Sequence, residues 1–227
     1  MREIDAFERI IQEFGLPEQS QSILPETLAR LSTRVPRELA DFWKLYGWGM
    51  YKDRYFRLCN PEMFDPLIAY IFKDDPDFDP LDMSVIGYTA FNTLRIWNKK
   101  TGSMLAFMEK SEISGGIKAK NPNARTQYPD AFLSGLHIYD ALRSRTPRLY
   151  NDACARLGKP GYDEVFGYAP ALQIGGEWGV AHLHRFKAVE HMTFLAQLGP
   201  LILTELTTPN TDSPMGRMRN VRYIGRQ

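Results

Sequence analysis

The residues best suited to chemistry lie between 160 and 191: His182-x-His184, His191, the adjacent carboxylates Asp163-Glu164, and glycines at 167, 175 and 176. Imidazoles in such number invite a zinc ion or acid–base work. The apolar pattern from Val180 to Leu198 predicts one long helix, on which His182 and His184 point about 200° apart. His184 and His191 share a face there, roughly 10 Å apart along the axis. A helical zinc pair sits at i and i+4 instead. That face also carries Val180, Ala188, Leu195 and Leu198, so the favoured reading is packed histidines with hydrogen-bond partners and no metal. Asp163 and Glu164 offer a general acid and base, but adjacent carboxylates on a turn diverge. Capping backbone N–H groups near a helix start is their expected role. Ser114-Gly115-Gly116 has no base beside it, no G-x-S-x-G occurs, and no lysine follows Gly175-Gly176 in phosphate-loop register. No catalytic residue and no cofactor is expected.

The unusual charge feature is Asp74-Asp75-Pro76-Asp77-Phe78-Asp79-Pro80-Leu81-Asp82. From Asp75 it begins like a calcium loop, but Pro80 stands where the glycine belongs and Ile86 where the bidentate glutamate belongs. Asp74, Asp75, Asp77, Asp79 and Asp82 are read as a surface turn, either merely solvated or presenting an anionic face to a basic partner. The partner-binding assignment goes to these five.

Around these candidates the chain alternates in character. A helix is expected over Ile4 to Phe14, stopped by Gly15 and Pro17. A short one opens on Pro25, and another runs from Pro36, with Leu39, Phe42, Trp43 and Tyr46 as its stripe and Gly47 ending it. Tyr55 to Leu58 suits a brief strand, and Asn60-Pro61 starts a helix to about Phe72. Strands follow at Val85 to Ala90, Leu94 to Trp97, Met104 to Met108 and Glu112 to Ile117. Asn121 to Pro129 reads as a polar loop, and a helix from Arg148 closes at Gly158. Asp163 to Gly176 is a shaped linker: its glycines allow positive φ, and Pro170 biases Ala169 towards extended geometry. Leu201 to Leu206 either extends the long helix or forms a strand. The arginine-rich tail is mobile or pairs as one late strand through Val221 to Ile224.

Across its 227 residues the chain is 44% hydrophobic and 24% charged, with a net charge of +1, which excludes a global field for nucleic acid. Cys59 and Cys154 match no metal or redox spacing, as expected of a reduced cytoplasmic chain. Arg2, Glu3 and Asp5 open the sequence and no apolar run approaches membrane-spanning length. Neither signal peptide nor anchor is expected.

Two blocks carry a resemblance. Leu39-x-x-Phe42-Trp43-x-x-Tyr46-Gly47-Trp48-Gly49, followed by Ala90-Phe91-Asn92-x-Leu94-x-x-Trp97, resembles the bacterial GAD-like domain. Asn92 replaces a glycine of that pattern and is the side chain best able to keep a left-handed turn. Ala153-x-x-x-Leu157-Gly158, Asp163-Glu164-x-Phe166-Gly167-Tyr168-x-Pro170-Ala171-Leu172, Gly175-Gly176, and His191 with Leu195-Ala196-Gln197 resemble the C-terminal domain found beside it in immunity proteins of type VI secretion DNase effectors. The resemblance implies a cytoplasmic, non-catalytic protein that binds a cognate DNase toxin, by covering its DNA-binding surface or acting away from it. The motif residues themselves are of the types that define cores and turns.

The expectation is an α+β protein: a small antiparallel sheet with flanking helices, and a mainly helical C-terminal region docked on it. Boundaries are placed at 1–125 for the GAD-like part, 145–206 for the C-terminal domain and 207–227 for the basic tail. Neither membrane nor direct nucleic-acid binding is expected. The rivals are a small hydrolase using Asp163, Glu164 or the histidines, and a nucleic-acid or regulatory adaptor using the basic tail.

Overall fold

The computed structural model describes residues 11–12, 14–108, 112–115, 146–206 and 218–225. Five helices of seven residues or more lie among them: α1 (Pro25–Ser32), α2 (Arg37–Tyr46), α3 (Asp65–Ile71), α4 (Thr146–Leu157) and α5 (Ala188–Gln197). The strands are β1 (Glu18–Gln21), β2 (Trp48–Tyr51), β3 (Phe56–Leu58), β4 (Met83–Thr89), β5 (Leu94–Asn98), β6 (Ser103–Met108), β7 (Glu112–Gly115), β8 (Glu164–Tyr168), β9 (Leu183–Lys187), β10 (Ile202–Leu206) and β11 (Met218–Tyr223). Pro25 stands in the first turn of α1, Gly47 ends α2 at φ 69°, and the Asn60 side chain caps the 3-10 turn that leads into α3. Most of the helix expected from Ile4 to Phe14, and the loop from Asn121 to Pro129, lie outside the described residues.

Nine strands form one mixed sheet in the order β1-β2-β3-β4-β5-β6-β7-β10-β11, and β8 pairs with β9 in a separate hairpin. The β7–β10 pairing is the parallel one, so the chain leaves the sheet at β7 and returns through α4, the hairpin and α5. The expected small antiparallel sheet with a mainly helical C-terminal region is therefore overturned. The C-terminal region supplies four of the eleven strands, two of them to the main sheet.

The physical reason lies in residues 183–206. Val180 to Leu198 is not one helix but a 3-10 turn, then β9, then α5. Along β9 only Leu183 is fully buried, while His184, Arg185 and Lys187 are exposed. This is a half-buried strand whose apolar residues also happen to fit helical spacing. Ile202 to Leu206 resolves as strand because β7 offers its free edge: Ile202, Leu203 and Thr204 face Glu112, Ile113 and Ser114.

The sheet separates two cores. On one face Phe64 of the 3-10 turn, with Leu67 and Ile68 of α3 and Met192 and Leu195 of α5, packs against Val85, Leu94, Ile96 and Phe107. On the other, α1 and α2 bring Leu31, Leu39, Phe42 and Trp43 against Tyr51, Phe56, Leu58 and Ile86. Val85 and Ile86 alternate to opposite faces, and a bulge between Val85 and Gly87 shifts the phase so that Tyr88 returns to the core of Val85. A third cluster joins Phe91 of the β4–β5 turn to Tyr150, Phe166, Tyr168 and Leu183.

Candidate functional site

The acidic turn precedes β4, and its carboxylates divide between internal and external duties. Asp75 is fully buried as a side chain. Its Oδ1 accepts from the amides of Asp77 and Phe78 and from Arg222, and its Oδ2 accepts from Arg222 and the amide of Gly225, all at 2.7–3.1 Å. Burial pushes the Asp75 carboxyl up, but Arg222 and the amides of Gly225 and Asp77 outweigh it and hold the group below the ordinary carboxylate range. Arg222 also reaches Asp77 at 2.8 Å and lies over the Phe78 ring, 5.7 Å from its centroid. Asp79 caps the following 3-10 turn through the amide of Leu81, and Asp82 faces Lys99 at 3.5 Å. Asp74 is exposed at φ 56°. Of the five, Asp74, Asp77 and Asp79 are exposed, whereas Asp75 clasps β11 to the turn.

Sequence reasoning identified the acid run and the arginine-rich tail separately and missed that they are partners. A tail rich in Arg217, Arg219, Arg222 and Arg226 with no acid of its own was the available signal. Loop and strand are 147 positions apart, a separation that no local pattern encodes.

The motif residues divide by what they touch. In the first block, Trp43 and Trp48 meet edge to face at 6.1 Å, and Phe42 lies 4.7 Å from Tyr46. Gly47 and Gly49 leave the room that β1 occupies: a Cβ on Gly47 would collide with the Gln21 carbonyl, and one on Gly49 would lie 2.7 Å from Pro17. The second half of that block reaches across to the C-terminal domain. Asn92, at φ 60° and fully buried, donates from Nδ2 to the Phe166 carbonyl at 2.8 Å, and the Phe166 amide donates to Ala90 at 2.7 Å. Trp97 is half-buried on the face of α1 and α2.

The stretch from Asp163 to Gly176 is not a linker throughout; its first part is β8. Gly175 alone of its three glycines has positive φ, at 91°. Gly167 and Gly176 are needed for closeness instead. A Cβ on Gly167 would overlap the His191 imidazole at Nε2, and one on Gly176 would overlap the Pro170 carbonyl. The Ala169–Pro170 peptide is cis. Tyr168 packs on Trp178 at 5.2 Å. Glu164 does bind a backbone amide, that of Gly161 at 2.9 Å, but at the start of a strand rather than a helix; Asp163 pairs with Lys187.

The histidines do not stand on one helix. His182 lies in a 3-10 turn facing Glu177 at 3.5 Å, His184 is exposed on β9, and His191 is buried on α5. His191 stacks on Phe186 at 4.3 Å with planes 5° apart, and its Nε2, pressed against Gly167, has no hydrogen-bond partner among the described residues. Burial pushes it down from 6.5 to about 4, so the ring is neutral. His191 is packed as expected, but among the described residues no hydrogen-bond partner stands at its Nε2. Among the described residues no group of three His, Cys, Asp or Glu side chains is placed to hold a metal ion.

A buried cation that sequence reasoning also missed ties the two parts together. Arg57 on β3 is wholly buried and donates from Nη2 to the carbonyls of Pro160 and Gly161 at 3.3 and 2.9 Å, with its guanidinium 5.7 Å from the Tyr88 ring centroid. Burial pushes its pKa below the ordinary arginine value. An arginine between Phe56 and Leu58 on a buried strand was the only sequence trace of it.

The sequence matches the family model described as GAD-like domain over residues 5–110, and that described as T6SS immunity protein Tdi1, C-terminal, over residues 131–199. The crystal structure of Atu4351 from Agrobacterium tumefaciens is similar, at 22% identity and a TM-score of 0.77, over 97% of this chain and 99% of that one. At that identity the likeness is one of fold. No curated protein matches the sequence. No helix among the described residues is long and apolar enough to cross a membrane.

Proposed function

We propose that this chain, which joins a GAD-like domain to the C-terminal domain of a type VI secretion immunity protein, neutralises a DNase toxin by binding it in the cytoplasm of the producing cell. The observation that carries the reading is the match to the immunity-protein C-terminal domain over residues 131–199. That match implies a toxin partner; the DNase chemistry of the partner, the cytoplasmic site and the lack of turnover belong to the proposal. The role of the motifs is compatible with it. Their aromatic and glycine residues build the cores and the junction, which leaves the surface to recognise a partner.

A DNA-cleaving enzyme carries a cationic surface for the phosphate backbone. The exposed carboxylates of Asp74, Asp77 and Asp79, with Asp82 behind them, supply an opposite charge for capture, while Asp75 organises the turn from inside. The test is protection in cells. A cognate DNase effector, sought first in the reading frames adjoining this gene, should degrade the chromosome when expressed in a heterologous host, and co-expression of this chain should restore growth and intact DNA. Persistent DNA degradation despite abundant folded protein would sink the proposal.

A further inference from the structure

The hairpin β8–β9, the connection between its strands and α5 enclose an open cleft of about 360 Å³. Its lining is almost wholly apolar. Phe186 stacked on His191 forms one wall, Ala171 and Pro170 form another, and Ile174 and Phe194 stand at the mouth. Those two are 55% and 44% exposed, and Trp178, 55% exposed and packed on Tyr168, continues the same apolar surface. A small-molecule site brings a few convergent polar groups to such a space. Here the buried imidazole presses its unpartnered nitrogen against Gly167. The volume admits one large apolar side chain together with part of its flanking segment.

Charge at the mouth narrows the occupant. Lys187 is engaged by Asp163. Glu190, also lining the cleft, is exposed and near enough to Lys187 to act on its charge, but no ion pair holds it among the described residues. We propose that the cleft receives one aromatic or branched apolar side chain of the toxin, flanked by a lysine or arginine that pairs with Glu190. The inference rests on the immunity reading, since a DNA-cleaving partner is the cationic protein that Glu190 complements. Apolar anchors seated in a pocket behind a water-excluding rim carry most of the energy of an interface, and their loss appears in the dissociation rate.

The experiment measures association and dissociation of purified full-length protein with a catalytically inactive form of the cognate effector identified by the protection test above. Phe194→Asp and Ile174→Asp place a carboxylate at positions already exposed to solvent, and Glu190→Lys reverses the rim charge. Circular dichroism and melting temperature confirm that each variant is folded. The expected result is dissociation at least tenfold faster for Phe194→Asp and Ile174→Asp, and several-fold weaker binding for Glu190→Lys, with melting temperatures unchanged. Wild type and all three variants binding alike overturns the cleft assignment and leaves the immunity reading standing. No binding by the wild type overturns both. A concentration-dependent dimer that Phe194→Asp abolishes, with effector binding intact, makes a second copy of this chain the occupant and overturns the assignment to the toxin.

Discussion

Gly167 and His191 are each explained by the other. The imidazole edge lies where a Cβ on residue 167 would stand, and Phe186 stacked on the ring limits how the imidazole can turn aside. Gly167→Ala should therefore cost about 2 kcal/mol, the range of overpacked core sites, read as a lowered melting temperature. Gly175→Ala, with nothing near its Cβ position, should suffer only the backbone cost of its positive φ, about 1 kcal/mol. Equal effects at the two positions would contradict the packing argument. Positive φ, the cause expected from the sequence, applies at Gly175 but not at Gly167 or Gly176, where close approach is the reason. Positive φ is a local property legible in a motif; the close approach of a side chain from α5 is not.

His191 also gives stability a pH dependence whose sign is fixed. The folded ring takes a proton only near 4, whereas the unfolded chain takes one near 6.5. Between those values the unfolded state binds more protons, so stability is full above about pH 6.5 and falls as pH drops towards 4. The loss attributable to this residue is at most about 3 kcal/mol. His191→Met should flatten that part of the profile. An unchanged slope in the variant would assign the acid sensitivity to other groups.

At the scale of elements, the clasp between the acidic turn and β11 is the piece that no single segment foretold. β11 is an exposed edge strand, held to β10 by its ladder and to the turn by Arg222. Asp75→Asn removes the charge while keeping the shape, and should release β11 first: amide exchange from Met218 to Tyr223 should accelerate at least tenfold, with the core strands little changed. The folded carboxyl lies below its unfolded value, so its contribution is present above the ordinary aspartate pKa and lost as pH falls through the folded one. Unaltered exchange in β11 would show the clasp to be dispensable.

The same geometry decides how the turn is to be probed for partner capture. Reversing Asp75 would confuse folding with binding, so the informative change is Asp74→Lys with Asp79→Asn, at two exposed positions. Rim charges act on encounter. Association with the effector should slow several-fold at low ionic strength and converge with wild type as salt rises, while dissociation stays the same. Salt-independent, wild-type association would make the turn a solvated loop.

The legible elements were those punctuated locally: α1 and α2 by Pro25, Pro36 and Gly47, and β4 to β6 by branched and aromatic runs. β1, with the sequence Glu-Gln-Ser-Gln, has no apolar residue at all. It exists because Gly47 and Gly49 leave a path beside β2. Helix and strand periods could not be separated over Leu183 to Lys187 or Ile202 to Leu206, where the deciding facts are the partners Glu164–Tyr168 and β7.

At the scale of the whole molecule, the two matched domains share their interior. Val165, Ala171, Met192 and Leu195 from the C-terminal part stand in the same core as Phe64, Leu67 and Phe107 from the first. Arg57, Asn92, Tyr88 and Tyr162 stitch the junction with hydrogen bonds in both directions. A rigid body of this kind presents its surface turn and cleft in fixed relation, as a protein that acts by binding requires.

The measurement that tests this claim most directly is a titration of the purified effector nuclease with this chain, following cleavage of plasmid DNA. Neutralisation by binding gives a linear fall in cleavage that ends at a fixed stoichiometric ratio, with no change in either protein's covalent structure and no recovery of activity on prolonged incubation. Inhibition at strongly substoichiometric amounts, or full cleavage in the presence of excess folded protein, would contradict neutralisation by binding.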